Sequence, residues 1–422
     1  MKLKNFTQTV TAITITATVT FGITEQVQAG VLGGSLTGSY NVGKTSYHLT
    51  DYSRKEIYTA DDTDYRELRV QFFYPTKTIP SGTSAPYVNT PVINKIDTEM
   101  FPGYGVGALL NSVQVNSIPQ ANIANNESKY PVLFFSHGLM ELPEFYTSFV
   151  EQLASNGYIV ATINHSYDAL ATELAGGKVV SAFENNVLLP GIFNPEISKQ
   201  ATQIRAADAQ FLLNELSKIN SNDPENILTG KLDLDNVGIF GHSLGGATAA
   251  EAMRLDSRFK AGINMDGTLW TDVVNTGLDK PFMLMNGSNF DNTRQTFYNN
   301  LQGDKYNLTI KNAQHQNFSD KPLLGANNSG FTDIFESLTP GQIGTIDPQL
   351  NNQIINDYTL DFFNKYLKNK NAPLLDNQQE NDNIKFTSSP KSVPEPSISI
   401  GLMGIFGLFF LTHPLRRTAK IK

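Results

Sequence analysis

The chain has 422 residues, a formal net charge of −8, 40% hydrophobic and 10% aromatic residues, and no cysteine. This excludes a thiol nucleophile and any disulfide framework, and with no basic patch in view it argues against nucleic acid as a partner. Once both ends are set aside, about 350 residues remain, ample for one α/β core or a core with a cap.

Residues 1–29 carry Lys2 and Lys4, a threonine-rich, largely uncharged middle and a small-residue exit at Val27-Gln28-Ala29. That layout reads as a secretory signal cleaved before Gly30. Residues 30–38 read as a flexible start, and 66–74 as an early strand. Residues 80–130 form a long Pro/Asn/Gly-rich insert with one apolar, glycine-spaced patch at 100–110 (MFPGYGVGALL). The patch either folds over a site or packs its own apolar residues as a surface loop. Residues 131–135 (PVLFF) are a strongly apolar strand, 145–155 a helix and 158–163 another strand. In 200–216, Ile204, Ala207, Phe211 and Leu212 recur at helical spacing, which predicts a helix with one face on a sheet. Arg205 and Asp208 on that helix can pair at i, i+3, but they read as its solvated face.

The most informative stretch follows. Residues 232–240 (LDLDNVGIF) read as a strand, and 245–255 (GGATAAEAMRL) are rich in helix formers. Between them lies Gly241-His242-Ser243-Leu244-Gly245, a G-x-S-x-G pentad. Such a turn is so tight that small residues must flank the serine, and it pushes the hydroxyl clear of the backbone. Strand, turn and helix together are the setting of an α/β-hydrolase nucleophile elbow. The expected fold is therefore α/β, an α/β-hydrolase with a mostly parallel central sheet and helices on both faces.

A serine nucleophile needs a base and a group that orients the base. In this fold the chain order is serine, acid, histidine. The six histidines are His48, His137, His165, His242, His315 and His413, and only the last two follow Ser243. His413 lies in the tail beyond an apolar run, which leaves His315, in a polar stretch after the alternating 306–310, as the general base. Residues 259–265 (FKAGINM) read as the intervening strand, and Asp266 at its end is the expected acid. Asp256, Asp272, Asp279 and Asp291 are rivals that do not end an apolar strand so neatly, and an aspartate before glycine is also an ordinary turn former. An oxyanion hole needs two backbone N–H groups. One comes from Leu244, after the nucleophile; the other is expected from Leu139, in the Ser136-His137-Gly138-Leu139 loop that follows 131–135. His137, His165 and His242 read as packing or hydrogen-bonding residues near the site. Residues 281–285 supply a further strand. No two histidines fall within six positions of each other and no H-E-x-x-H pattern is present, so neither a metal nor any other cofactor is expected.

The polar 371–383 reads as a linker, which places the end of the catalytic domain near 375 and a linker over 376–392. Beyond it, Val393-Pro394-Glu395-Pro396 precedes an apolar run at 397–411 and then Arg416 and Arg417. As a helix, the run would span about 23 Å, against a hydrocarbon core of roughly 30 Å. That marginal length suits a temporary anchor with its arginines on the cytoplasmic side. The run resembles the PEP-CTERM sorting signal of exported bacterial proteins; a plain C-terminal membrane anchor is the alternative. Either implies export, membrane contact through this segment and a catalytic domain that faces outward.

GHSLGGAT at 241–248, the strand at 259–265 with Asp266, and HQNF at 315–318 resemble the platelet-activating factor acetylhydrolases. Looser likeness covers most of 39–375. The resemblance implies Ser243 as nucleophile, Asp266 as acid, His315 as base and the N–H groups of Leu139 and Leu244 as the oxyanion hole. It also implies a calcium-independent serine esterase that removes short or oxidised acyl chains from the sn-2 position of phospholipids. There are departures: the plasma member of the family has a tryptophan two residues after its acid, whereas here Asp266 opens DGTLW, and the 80–130 insert is poorly matched. A broader secreted carboxylesterase, lipase or polyester hydrolase shares the same elbow, and a non-catalytic surface protein that kept the fold is a third reading.

Overall fold

The computed structural model describes residues 31–80, 84–185 and 194–389. The expected signal at 1–29 and the sorting segment at 393–422 lie outside them. A long hairpin of β1 (Asn41–Lys55) and β2 (Tyr65–Thr76) leads into α1 (Thr90–Lys95), α2 (Val106–Ser112) and the short β3 (Ile118–Pro119). Next come β4 (Tyr130–Ser136), α3 (Thr147–Ser155), β5 (Ile159–His165), the small hairpin β6 (Thr172–Glu173) and β7 (Val179–Val180), and the long α4 (Pro195–Ser221). The centre is β8 (Leu232–His242), α5 (Leu244–Leu255) and β9 (Phe259–Met265). It is followed by α6 (Val273–Thr276), β10 (Phe282–Asn286), α7 (Asn292–Asn300) and β11 (Lys305–Ile310). Helices α8 (Lys321–Asn327), α9 (Ser329–Leu338), α10 (Pro348–Lys368) and α11 (Pro373–Asp376) precede β12 (Gln379–Glu380) and β13 (Ile384–Ser389).

These strands form one sheet in the order β12-β13-β11-β10-β9-β8-β4-β5-β2-β1-β3. From β5 through β11 every neighbouring pair is parallel, while β2 and β13 flank that block antiparallel. This is the mostly parallel α/β-hydrolase architecture expected from the elbow. A parallel sheet is covered on both faces, which is why its strands read as unbroken apolar runs. In β4, Leu133 and Phe135 enter one buried cluster with Phe149 and Leu153 of α3 and Phe362 and Phe363 of α10. Val132 and Phe134 point the other way, among Leu212 and Leu213 of α4 and Ala249 and Met253 of α5. Each such side chain, fully buried, contributes about 1.5–3 kcal/mol.

Four readings need correction. Residues 31–38 are not a loose start: Leu32 is buried and its N–H donates to Gln114 O at 2.8 Å. The buried face of α4 is rotated from the predicted one. It carries Ala201, Arg205, Asp208, Leu212, Leu216 and Ile219, whereas Ile204, Ala207 and Phe211 are only half-buried. Arg205 and Asp208 are thus interior, and each pairs with a residue elsewhere in the chain. The 80–130 insert is not a self-contained loop. Val92, Ile93, Ile96 and Leu110 join the α3-side core, Met100, Phe101 and Leu109 pack against it, and β3 extends the sheet edge beside β1. The boundary at 375 is too early, because β13 pairs with β11 from Lys305↔Ser389 to Ile310↔Ile384, and only Ile384 and Phe386 of the strand are buried. A strand with one covered face and polar flanks has little hydrophobic signal, so its composition mimics a linker.

Candidate active site

Ser243 sits between β8 and α5 with φ 56° and ψ −122°, a backbone that side chains other than glycine seldom adopt. Asp266, at the end of β9, and Met140, in the loop that carries Leu139, also have positive φ, at 52° and 57°. The strained turn survives because the chain around it is tightly fitted. A β-carbon on Gly245 would lie 1.9 Å from Ser136 O, so only glycine lets α5 approach β4 this closely. The Ser243 N–H is tied to Met265 O at 2.9 Å.

Met265 ends β9, and Asp266 follows on the turn. Asn264 secures that turn by accepting from Gly267 N at 2.7 Å and donating to Gly267 O at 2.8 Å. Asp266 Oδ2 lies 2.7 Å from His315 Nδ1, and His315 Nε2 lies 2.9 Å from Ser243 Oγ. The three residues expected from the sequence therefore form one hydrogen-bonded chain. Asp266 is almost fully buried, while about a third of the His315 side chain is exposed (7% against 31%), so the base is reachable from outside and the acid is not. Asp256, Asp272, Asp279 and Asp291 are not hydrogen-bonded to His315; Asp291 instead caps α7.

The other carboxylate oxygen of Asp266 has partners that sequence reasoning missed. Oδ1 accepts from Arg294 Nη1 at 2.7 Å and from Gly287 N at 3.1 Å. Arg294 is itself buried and fixed by Asn286 Oδ1 at 3.0 Å and Asp291 Oδ2 at 3.0 Å. Asp291 also accepts from Thr268 Oγ1 at 2.6 Å. The first turn of α7 is thus a clip on the acid's loop.

The loop of His315 is held by Asn317, the third residue of the HQNF run. Its Oδ1 accepts from Gln314 N at 2.9 Å and Gly344 N at 2.6 Å, and its carbonyl accepts from Asn351 Nδ2 at 2.7 Å. His242, inside the pentad, bridges two loops. Its Nε2–H donates to His315 O at 2.9 Å, so Nδ1 is bare and accepts from the Tyr146 hydroxyl at 2.8 Å. Burial, helped by the nearby His315 and Lys321, holds the His242 pKa far below the ordinary imidazole value. Tyr146 also accepts from Gly138 N at 3.2 Å, at the base of the loop that carries Leu139. Leu244 opens α5, so its N–H is among those a helix leaves unpaired. The side chains of Leu139, Leu244 and Trp270 belong to one small apolar cluster beside Ser243.

Behind this loop lies a buried charge cluster. Arg66 donates to Asp208 Oδ2 at 2.7 Å and to Glu56 Oε2 at 2.9 Å, and His165 Nδ1 meets Asp208 Oδ2 at 2.8 Å. Burial pushes the Asp208 carboxyl up, but the Arg66 guanidinium and the His165 hydrogen bond outweigh it and hold the pKa well below the usual range. Burial and the charge of Arg205 lower His165 to about 4. Among the described residues, no group of three or more histidine, aspartate or glutamate side chains is placed to hold a metal ion.

A parallel sheet with a serine elbow, an imidazole and a buried carboxylate linked in one line defines the class: the protein is an α/β-hydrolase with a serine nucleophile. Residues 34–386 match the family described as platelet-activating factor acetylhydrolase, isoform II, and the chain belongs to that family. Among its relatives is a probable 1-alkyl-2-acetylglycerophosphocholine esterase of Arthroderma benhamiae, 26% identical over 86% of this chain and 95% of the relative. Another is the platelet-activating factor acetylhydrolase of Canis lupus familiaris, 27% identical over 78% of this chain and 76% of the relative. A solved ferulic acid esterase from Streptomyces cinnamoneus is similar in structure, with a TM-score of 0.68 and 27% identity over 83% of this chain and 97% of that one.

The Arg294 contact yields a prediction. Arg294→Met should lower kcat on p-nitrophenyl acetate by about 10²-fold through misplacement of Asp266, with KM changed little. Asp266→Asn should cost about 10⁴-fold. Steady-state kinetics of both variants, with melting curves as folding controls, measure the two effects; wild-type turnover in Arg294→Met would refute the clip.

Proposed function

We propose that the protein hydrolyses short acyl esters at the sn-2 position of phospholipids, without calcium, through an acyl-enzyme on Ser243. The Asp266–His315–Ser243 chain, at 2.7 and 2.9 Å, carries this reading, and family membership supports the substrate class. His315 Nε2 removes the Ser243 proton as Oγ attacks the ester carbonyl. Asp266 holds the imidazole in the Nδ1–H tautomer and stabilises the imidazolium that forms. The N–H groups of Leu139 and Leu244 receive the oxyanion, and loss of one such donor typically costs about 10²–10³ in turnover. His315 then gives its proton to the departing alcohol, and water repeats the cycle on the acyl-enzyme.

A broader carboxylesterase is the second reading, favoured by the likeness to a ferulic acid esterase and by the Trp270 spacing after the acid. Hydrolysis of sn-2 acyl phospholipids of increasing chain length, with EDTA present, separates the two. The proposal expects cleavage confined to acetyl and other short chains, and a fall of about 10⁶-fold in Ser243→Ala. Long-chain or simple-ester preference that still depends on Ser243 would retain the nucleophile and overturn the phospholipid assignment.

The end segments support export, with the C-terminal run as an anchor that is at least temporary. Among the described residues, no helix is long and apolar enough to cross a membrane. Mass spectrometry of protein purified from its own cells should find a mature N-terminus at Gly30; an intact Met1 would contradict export through a cleaved signal.

A further inference from the structure

The Leu139 N–H is useful to an oxyanion only if it points at the Ser243 side of its loop, and the hydrogen bonds of the preceding peptide set that direction. A peptide unit is planar and trans, so the Leu139 N–H points opposite to the Gly138 carbonyl. That carbonyl is held from two sides, by His137 Nδ1 at 2.6 Å and Glu141 N at 3.2 Å. A carbonyl only accepts, so Nδ1 carries the proton. The His165 main-chain N–H only donates, so His137 Nε2, 3.3 Å away, is bare. His137 is therefore neutral and fixed in one tautomer, in keeping with its complete burial and the neighbouring Arg205, which hold its pKa far below the ordinary value.

The same loop is gripped at both ends by one buried ion pair. Arg205 Nη1 donates to the His137 carbonyl, Nη2 to Asp168 Oδ1, and Nε to Asp168 Oδ2 at 2.7 Å. The main chain of Asp168 closes the circuit, since its carbonyl accepts from Met140 N at 2.9 Å. Met140 has φ 57°, a conformation that persists when its surroundings impose it. Neither Arg205 nor Asp168 has any exposed surface. A buried ion pair is weak as a stability device, because apolar residues of similar volume often serve as well. Here each edge of the guanidinium fork is spent on the loop itself or on the residue that grips its far end.

We infer that Arg205, Asp168 and His137 form a brace that aims the Leu139 N–H at the oxyanion, and so are positioning residues for the reaction. The inference rests on the ester-hydrolase reading above.

The test uses the full chain and p-nitrophenyl acetate labelled with carbon-13 at the acetyl carbonyl. The double variant Arg205→Met with Asp168→Leu removes both charges at similar volume, and its melting curve reports folding. The brace predicts kcat reduced by about 10- to 100-fold, KM within about twofold, and an acyl-enzyme carbonyl infrared band at higher frequency than in the wild type. A second pair probes His137 alone. His137→Asn, whose amide nitrogen can stand in for Nδ1, keeps the lowered band, and His137→Ala loses it. A lowered band that persists in both the double variant and His137→Ala overturns the brace while leaving the ester-hydrolase reading intact. A wild-type acyl-enzyme with no lowered band overturns the brace alone, whereas a fully active Ser243→Ala overturns the ester-hydrolase reading and the brace with it.

Discussion

A hydroxyl lifted clear of a sheet requires backbone at φ 56° for Ser243, and that turn is the constraint on which the rest of the site depends. It costs on the order of 1–3 kcal/mol, and it is held by contacts that only glycine permits. The absent β-carbon of Gly245 lets α5 rest on the Ser136 carbonyl, and that of Gly267 lets the acid's turn lie against the Ser243 carbonyl, where a β-carbon would come within 2.1 Å. Strand β4, the elbow and the end of β9 are therefore one packed unit. The serine, the loop of Leu139 and Asp266 inherit fixed positions from it.

Around this unit the protein spends buried polar groups on orientation. Tyr146 and His242 link the Gly138 N–H to the carbonyl of His315, so the loop that would receive the oxyanion is tied to the loop of the base. Arg294 does the same for the acid, and Lys321 ties Glu141 to Gln316 at 2.6 and 2.9 Å. Removal of one partner from a buried ion pair such as Arg294–Asp266 or Lys321–Glu141 typically costs about 3–5 kcal/mol.

The parts legible in the sequence are those with local signatures. The pentad needs its neighbours small, β9 is a short apolar run ended by Asp266, and a chain with six histidines leaves His315 nearly alone after the serine. The sheet was readable because strands buried on both faces are continuously apolar. What was hidden depends on partners far apart in the chain. Arg294 meets Asp266 across 28 positions, Arg205 meets Asp168 across 37, and Arg66 meets Asp208 across 142. A charged residue on a helix reads as solvent-facing unless its partner is known, which is why the face of α4 was rotated. Strand β13 escaped for the opposite reason, since a strand near the sheet edge with only two buried residues carries little apolar signal.

The central claim is that Ser243 is the nucleophile and that His315 activates it. A fluorophosphonate probe followed by peptide mass spectrometry tests this most directly, on the wild type and on His315→Ala. The account predicts a single stoichiometric adduct on the peptide containing Ser243, lost when His315 is removed. An adduct on another residue, or labelling of Ser243 that does not depend on His315, would contradict it.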